Sequence, residues 1–199
     1  MAASTSSSSG PEMAAIIHLI GQPASGKLTT ARAVVAQAAA AGDHVVLVDN
    51  HRTGDVILGL LDLAGTSVPQ AVWDRVGQVR EVVYETIETM GEPTWSYLFT
   101  NVLLADDPGD REIVERLALV AERTGRRYVP VVLTCDEAEL LRRVPNEDRA
   151  EHHKWRDPVA VADHLRTRPL LEVPGAIEVD TTSSLPTATA ATILASLQR

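Results

Sequence analysis

The sequence predicts an α/β protein with a doubly wound, mainly parallel sheet of five strands. Short apolar runs of β-branched character alternate with helical segments from residue 14 to the last residue. A glycine-bearing loop stands between the first such run and the first helix. At 199 residues the chain is long enough for one such domain with a complete core and too short for two ordinary ones.

The first strand is Ala14-Ala15-Ile16-Ile17-His18-Leu19-Ile20, and an alanine-rich helix follows the loop and ends near Gly42. His44-Val45-Val46-Leu47-Val48-Asp49 is nearly all apolar, as a strand buried on both faces must be, and it ends in a carboxylate. Residues 52–92 form a helical insertion in which Val72, Val76, Val79, Val83, Ile87 and Met90 recur at spacings of one helix face. Trp73, Arg75, Arg80 and Tyr84, on its other faces, either line an acceptor pocket or form a solvated flank, the flank being the expectation for any one of them. The third strand is Trp95 to Asn101, and a helix with Ile113, Val114, Leu117 and Val120 stops at Gly125. Asp106 and Asp107, before Pro108-Gly109, read as a turn and helix cap. The fourth strand ends at Cys135, whose place in an apolar run makes it a small buried residue rather than a nucleophile. Asp136 and Glu139 have the spacing of a capping box. Ala176 to Val179 is a short fifth strand, followed by a polar turn and a last helix.

Eighteen basic against 27 acidic residues give a net charge of -9, which argues against holding long nucleic acid by phosphate neutralisation. No apolar run approaches a membrane span, so no membrane partner is expected. A single cysteine excludes an internal disulfide and multi-cysteine zinc sites and fits a reducing cytoplasm. Residues 1–13 are rich in serine and read as a disordered leader, leaving residues 14–199 as the domain, a monomer or homodimer.

The chemistry is concentrated in Gly21-Gln22-Pro23-Ala24-Ser25-Gly26-Lys27-Leu28-Thr29-Thr30. Glycines let successive N–H groups turn toward an anion, the helix start adds partial positive charge, and Lys27 reaches the β- and γ-phosphates. ATP, or GTP, with Mg²⁺ is therefore the expected ligand. Leu28 stands where the pattern has the hydroxyl that holds Mg²⁺, and Thr29 is turned about 100° away on the helix. The metal is then expected to be held through water or by Asp49. Asp49 is the first candidate for orienting an acceptor hydroxyl and taking its proton, because strand ends in such sheets open toward the phosphate loop. A turn aspartate capping the next element is its structural alternative. His51, Arg52, Arg80 and Asn101 are candidates for substrate contact, and Asp55 for a helix cap. Residues 140–158 gather basic groups in an acidic protein and read as part of a lid over residues 144–168, in which Arg143 and Arg149 would stabilise phosphoryl charge and Lys154 would contact substrate. Adjacent His152 and His153 diverge on a helix and make no zinc site.

The spelling Gly21-x-Pro23-x-Ser25-Gly26-Lys27-x-Thr29 resembles the loop of adenylate kinase and related nucleoside monophosphate kinases. A basic segment after the fourth strand and the turn Val179-Asp180-Thr181-Thr182 before a last helix resemble the small P-loop kinases of metabolites, such as shikimate kinase, gluconate kinase and chloramphenicol phosphotransferase. That resemblance implies a P-loop fold with a mobile lid, with Asp180, Thr181 and Thr182 beside the adenine and Asp49 facing the acceptor hydroxyl. The function implied is ATP-dependent phosphorylation of a hydroxyl on a small metabolite or antibiotic-like molecule. A nucleoside monophosphate kinase is the nearest alternative, although no D-G-[FY]-P-R-like segment follows the third strand. A nucleotide-binding switch protein without catalysis is the alternative from another class.

Overall fold

The computed structural model describes residues 14–61, 68–146 and 156–197. The leader (1–13) and the lid candidates Arg149 and Lys154 lie outside the described residues, as do His152 and His153. Five strands, β1 (Ala15–Gly21), β2 (Val45–Asp49), β3 (Ser96–Asn101), β4 (Arg127–Thr134) and β5 (Ile177–Asp180), form one parallel sheet in the order β2-β3-β1-β4-β5. The helices are α1 (Lys27–Ala41), α2 (Asn50–Leu58), α3 (Gln70–Met90), α4 (Pro108–Arg123), α5 (Glu137–Arg143), α6 (Pro158–Thr167) and α7 (Pro186–Leu197).

Central β1 is buried along its whole length because helices cover both sheet faces. Ile17 and Leu19 pack with Ala31, Val34 and Ala38 of α1 and with Ala190 and Ile193 of α7. Ile16, on the opposite face, packs with Tyr84 and Ile87 of α3 and with Leu117 and Val120 of α4. Pro130 lacks the N–H a central strand uses, yet it sits in β4 without loss, since β5 begins opposite Val131 and at Pro130 the strand is still an edge on that side.

His18 is the polar exception in β1, fully buried on the α3–α4 face. Its Nε2 lies 3.0 Å from Asn101 Oδ1 and its Nδ1 2.9 Å from the Tyr128 hydroxyl. A neutral imidazole satisfies both, with Nε2–H donating to the amide oxygen and Nδ1 accepting from the phenol. Burial pushes the His18 pKa down to about 4, so between pH 6.5 and 4 the unfolded chain binds a proton that the folded protein does not. Stability from this residue is therefore full above pH 6.5 and is lost as pH falls toward 4, by roughly 3 kcal/mol at the lower end. Urea unfolding at pH 7 and pH 5 should show wild type losing about 2 kcal/mol more than a His18→Gln variant, whose amide cannot titrate. Equal losses in the two proteins would dismiss the buried neutral imidazole.

The long helical insertion resolves into α2 and α3, and the predicted stripe of α3 faces inward over most of its length, with Val76 and Ile87 buried and Val72, Val79 and Val83 half-buried. Val76, Tyr84 and Ile87 are buried while Met90 is 80% exposed, because α4 and the sheet meet α3 along the line of Tyr84. Tyr84 is therefore no solvated flank. The capping box at Asp136 does not form: Asp136 N donates to Thr182 Oγ1, and Glu139 pairs with Arg142 and Arg143. Asp55 lies inside α2, whose cap is Asp49, while Asp107 caps α4 as its Pro-Gly context predicts. Cys135 is half-buried. Among the described residues no helix is long and apolar enough to cross a membrane.

Candidate active site

All five strands point their carboxyl ends to one side, and there a cleft of about 1530 Å³ opens. The loop from Pro23 to Gly26 and the first turn of α1 form one wall. Gly26 sits at φ 86° and Ala24 at φ 67°, left-handed conformations that turn neighbouring N–H groups the same way. Gly21 is required by packing, since a Cβ there would meet Ser25 Oγ at 2.5 Å and the Leu133 carbonyl at 2.9 Å. Lys27 Nζ donates to the carbonyls of Gly21 (2.8 Å) and Gln22 (2.9 Å), which parks its charge at the mouth of the loop. Leu28 is half-buried and Thr29 exposed at the start of α1.

Asp49 ends β2, two strands away from Gly21, roughly 10 Å across the sheet. It is buried and caps α2 by accepting from His51 N at 3.3 Å. Its register partner Thr100 donates to the same oxygen, Oδ1, at 3.0 Å and accepts from Asn50 N at 3.3 Å. Asp49 is the cap of α2, the structural alternative, and it also lines the cleft. Asn50 Oδ1 accepts from Arg80 at 2.7 Å, which brings α3 against this strand end. His51, Arg80 and Asn101 line the cleft, whereas Arg52 is exposed and does not. With Oδ1 of Asn101 held by His18, the Asn101 amide nitrogen is the donor left for the cleft.

The wall formed by α3 and α4 adds Arg116 and Asp110, which have no sequence signal, to Arg80 and Tyr84. Arg116 bonds Glu81 at 2.9 Å and Glu88 at 2.5 Å and lies 5.4 Å from the centre of the Tyr84 ring. These carboxylates hold its guanidinium charged, while burial raises the Tyr84 phenol to about 12. Burial likewise pushes Arg80 down from its ordinary value. Asp110, in the first turn of α4, accepts from Leu104 N at 2.7 Å, and burial raises its carboxyl to about 6.

On the opposite side, Thr181 Oγ1 donates to the Ser25 carbonyl at 3.1 Å and the Thr134 carbonyl at 2.8 Å, tying the turn after β5 to the phosphate loop. Arg143 donates to Glu139 and to the carbonyls of Thr181 (2.8 Å) and Thr182 (3.1 Å), so it braces this wall. Asp180 is exposed and folds the turn by accepting from Thr182 N and Oγ1, and neither it nor Thr182 lines the cleft. Within the segment expected to be a lid, α6 packs Val161 and Leu165 against Ala24, Leu140 and Val144. His164 and Arg168 line the cleft from there, Arg168 paired with Asp106.

The loop fits a nucleotide triphosphate, but its residues do not offer Mg²⁺ the usual ligand. The Leu28 side chain has no oxygen, and no group of three or more His, Cys, Asp or Glu suited to a metal occurs among the described residues.

Comparison with family models and with curated protein sequences returned no match. Solved structures do match over nearly the whole chain. The Mycobacterium tuberculosis APS kinase CysC, in complex with AMPPNP and APS, aligns with a TM-score of 0.65 at 12% identity over 95% of this chain and 100% of that one. A gluconokinase from Sinorhizobium meliloti gives 0.57 at 16%, covering 94% and 95%. Chaetomium thermophilum Kti12 in complex with ADP-AlF3 gives 0.56 at 16%, covering 92% and 96%. At these identities the likeness is one of fold, and the fold is that of the P-loop kinases.

Proposed function

We propose that the protein is an ATP-dependent phosphotransferase acting on a hydroxyl of a small molecule. One observation carries the reading: a single cleft holds the phosphate loop, the Asp49 carboxylate and the α3–α4 wall, which leaves room for a nucleotide and a second molecule together. In this reading the amides around Ala24 and Gly26 receive the β- and γ-phosphates, and Lys27 moves from the loop carbonyls onto them. The turn at Thr181, braced by Arg143, borders the base. Asp49 orients the acceptor hydroxyl and takes its proton through Oδ2, the oxygen without a hydrogen bond among the described residues, while Thr100 and His51 N fix the carboxylate through Oδ1. The kinase fold of structures bound to AMPPNP and to ADP-AlF3 supports the nucleotide part of this reading.

A second reading, a nucleotide-dependent switch without an acceptor, is favoured by Leu28 and by Thr100-Asn101 standing where a metal-organising carboxylate would end β3. Mass spectrometry of a mixed pool of hydroxyl compounds incubated with the protein, Mg²⁺ and ATP separates the two. A species heavier by one phosphoryl group, absent with the Lys27→Met variant, is the expected result. Tight ATP binding with no such species across a broad pool would turn the assignment to the switch.

A further inference from the structure

We propose that Gly77 is the floor of the acceptor subsite, and that the acceptor is a ring-bearing alcohol lying flat on the α3 backbone there, beside Trp73. This deepens the phosphotransferase reading and rests on it.

Gly77 lies well inside the 21-residue helix α3. Glycine is the least favourable residue in a helix interior after proline, so its presence there calls for a reason. Backbone conformation supplies none, because its φ is not positive. Packing supplies none either: a Cβ at Gly77 would meet nothing within 4 Å. At Gly21, Gly59 and Gly91, by contrast, an added Cβ would strike a neighbour at 2.5, 2.7 and 2.6 Å. The open space at Gly77 is the cleft itself. Trp73, Gly77, Arg80 and Tyr84 follow one another at helical spacing and all line it, so the bare stretch of backbone is bordered by an indole one turn before and a guanidinium one turn after.

Trp73 is 42% exposed, a large aromatic face turned to the cavity rather than to the core. An indole beside a helix backbone without a side chain is a flat platform, and a flat ring covers it where an open chain leaves most of it wet. Arg80 joins the platform to the reacting carboxylate through Asn50, the neighbour of Asp49. Asp74 and Glu81 stand on either side of Gly77 as acceptors for the remaining ring hydroxyls.

The test uses the full chain as wild type, Gly77→Ala, Gly77→Leu and Trp73→Ala. Each is given AMPPNP or Mg²⁺-ATP with adenosine, myo-inositol, a phenyl-substituted diol, glycerol, gluconate or serine as probe. Binding is read as a shift in melting temperature and transfer as phosphorylated product. Because the substituted glycine is helical, both Gly77 variants should melt about 2–4 °C above wild type without ligand. Ring-bearing probes should raise the wild-type melting temperature. Product from them should fall at least about tenfold in Gly77→Leu and Trp73→Ala, with AMPPNP affinity kept within about twofold, as loss of one buried contact surface predicts. Ring-bearing probes that shift wild type but not Gly77→Leu, yet yield no product, would uphold the subsite and sink the phosphotransferase reading. Unchanged binding and transfer in Gly77→Leu, a response confined to the open-chain probes, or no response to any ring-bearing probe would overturn the subsite.

Discussion

Lys27→Met is expected to lower phosphoryl transfer by about 10²–10³-fold, the range for removing one preorganised charge from a developing anion. Methionine preserves the length of the stem and its packing against the loop, so the fold should survive. The native ammonium is already held at the mouth of the loop by the carbonyls of Gly21 and Gln22, a short reach from any phosphate that enters. Those two bonds come from a charged donor, so losing them costs up to about 1.5–3 kcal/mol each in stability, comparable to the roughly 3–4 kcal/mol of the catalytic effect, and the two losses must be measured separately. Lys27→Arg should fail nearly as badly, because a planar guanidinium does not fit a cradle shaped around a point charge. Single-turnover rates with ATP, together with urea unfolding curves, separate loss of chemistry from loss of structure. Full turnover in Lys27→Met would remove the phosphate loop from the reaction and with it the proposed function.

The sheet and the strand–loop–helix at Gly21 to Lys27 were legible in the sequence because the forces that form them are local in pattern. A strand covered on both faces must be apolar throughout, which marks β1, β2 and β4, and a strand followed by Gly-x-x-x-x-Gly-Lys has few physical uses other than cradling phosphate. Side chains whose surroundings come from distant segments were not legible. His18 reads as an interruption in an apolar run until Asn101 and Tyr128, 83 and 110 residues away, supply its partners. Tyr84 seemed to belong to a polar flank because the valines of α3 defined a face by period alone. Packing against α4, whose Arg116 lies over the Tyr84 ring, widens the buried face beyond that period to take in Tyr84.

The capping box failed for a related reason. Glu139 has two arginines within one helical turn, and these charged partners outcompete a neutral backbone N–H, holding its carboxyl down at about 2. Asp110 had no pattern at all. Its carboxyl is pushed to about 6 by burial in the cleft, against the lowering effect of the hydrogen bond it accepts from Leu104 N, and both depend on how the turn after β3 folds over it. Arg143 reads in the sequence as a cation for the phosphoryl group, and its work as a brace was not legible, since its carbonyl partners lie beyond β5.

Asp49→Asn separates the two duties of that residue. Asparagine caps a helix as well as aspartate does, and its amide oxygen can still accept from His51 N and Thr100 Oγ1, so unfolding free energy should change by no more than a few tenths of a kcal/mol. ATP affinity should hold within about twofold, because Asp49 lies two strands from the loop and contributes repulsion, if anything, to the phosphates. The amide cannot take a proton from the acceptor, and kcat should therefore fall by about 10²–10⁴-fold. Thr100→Val offers the contrast: it leaves the charge and frees its orientation, so a smaller loss, with a changed acceptor KM, is expected there. Measuring kcat, ATP affinity and stability on the same preparations decides the matter, since only the catalytic role predicts a large effect on one of the three alone. An unchanged kcat in Asp49→Asn would leave Asp49 as a cap and pass the base role to Asp110, which lines the same cleft with a carboxyl near 6 and whose removal would then be the next experiment.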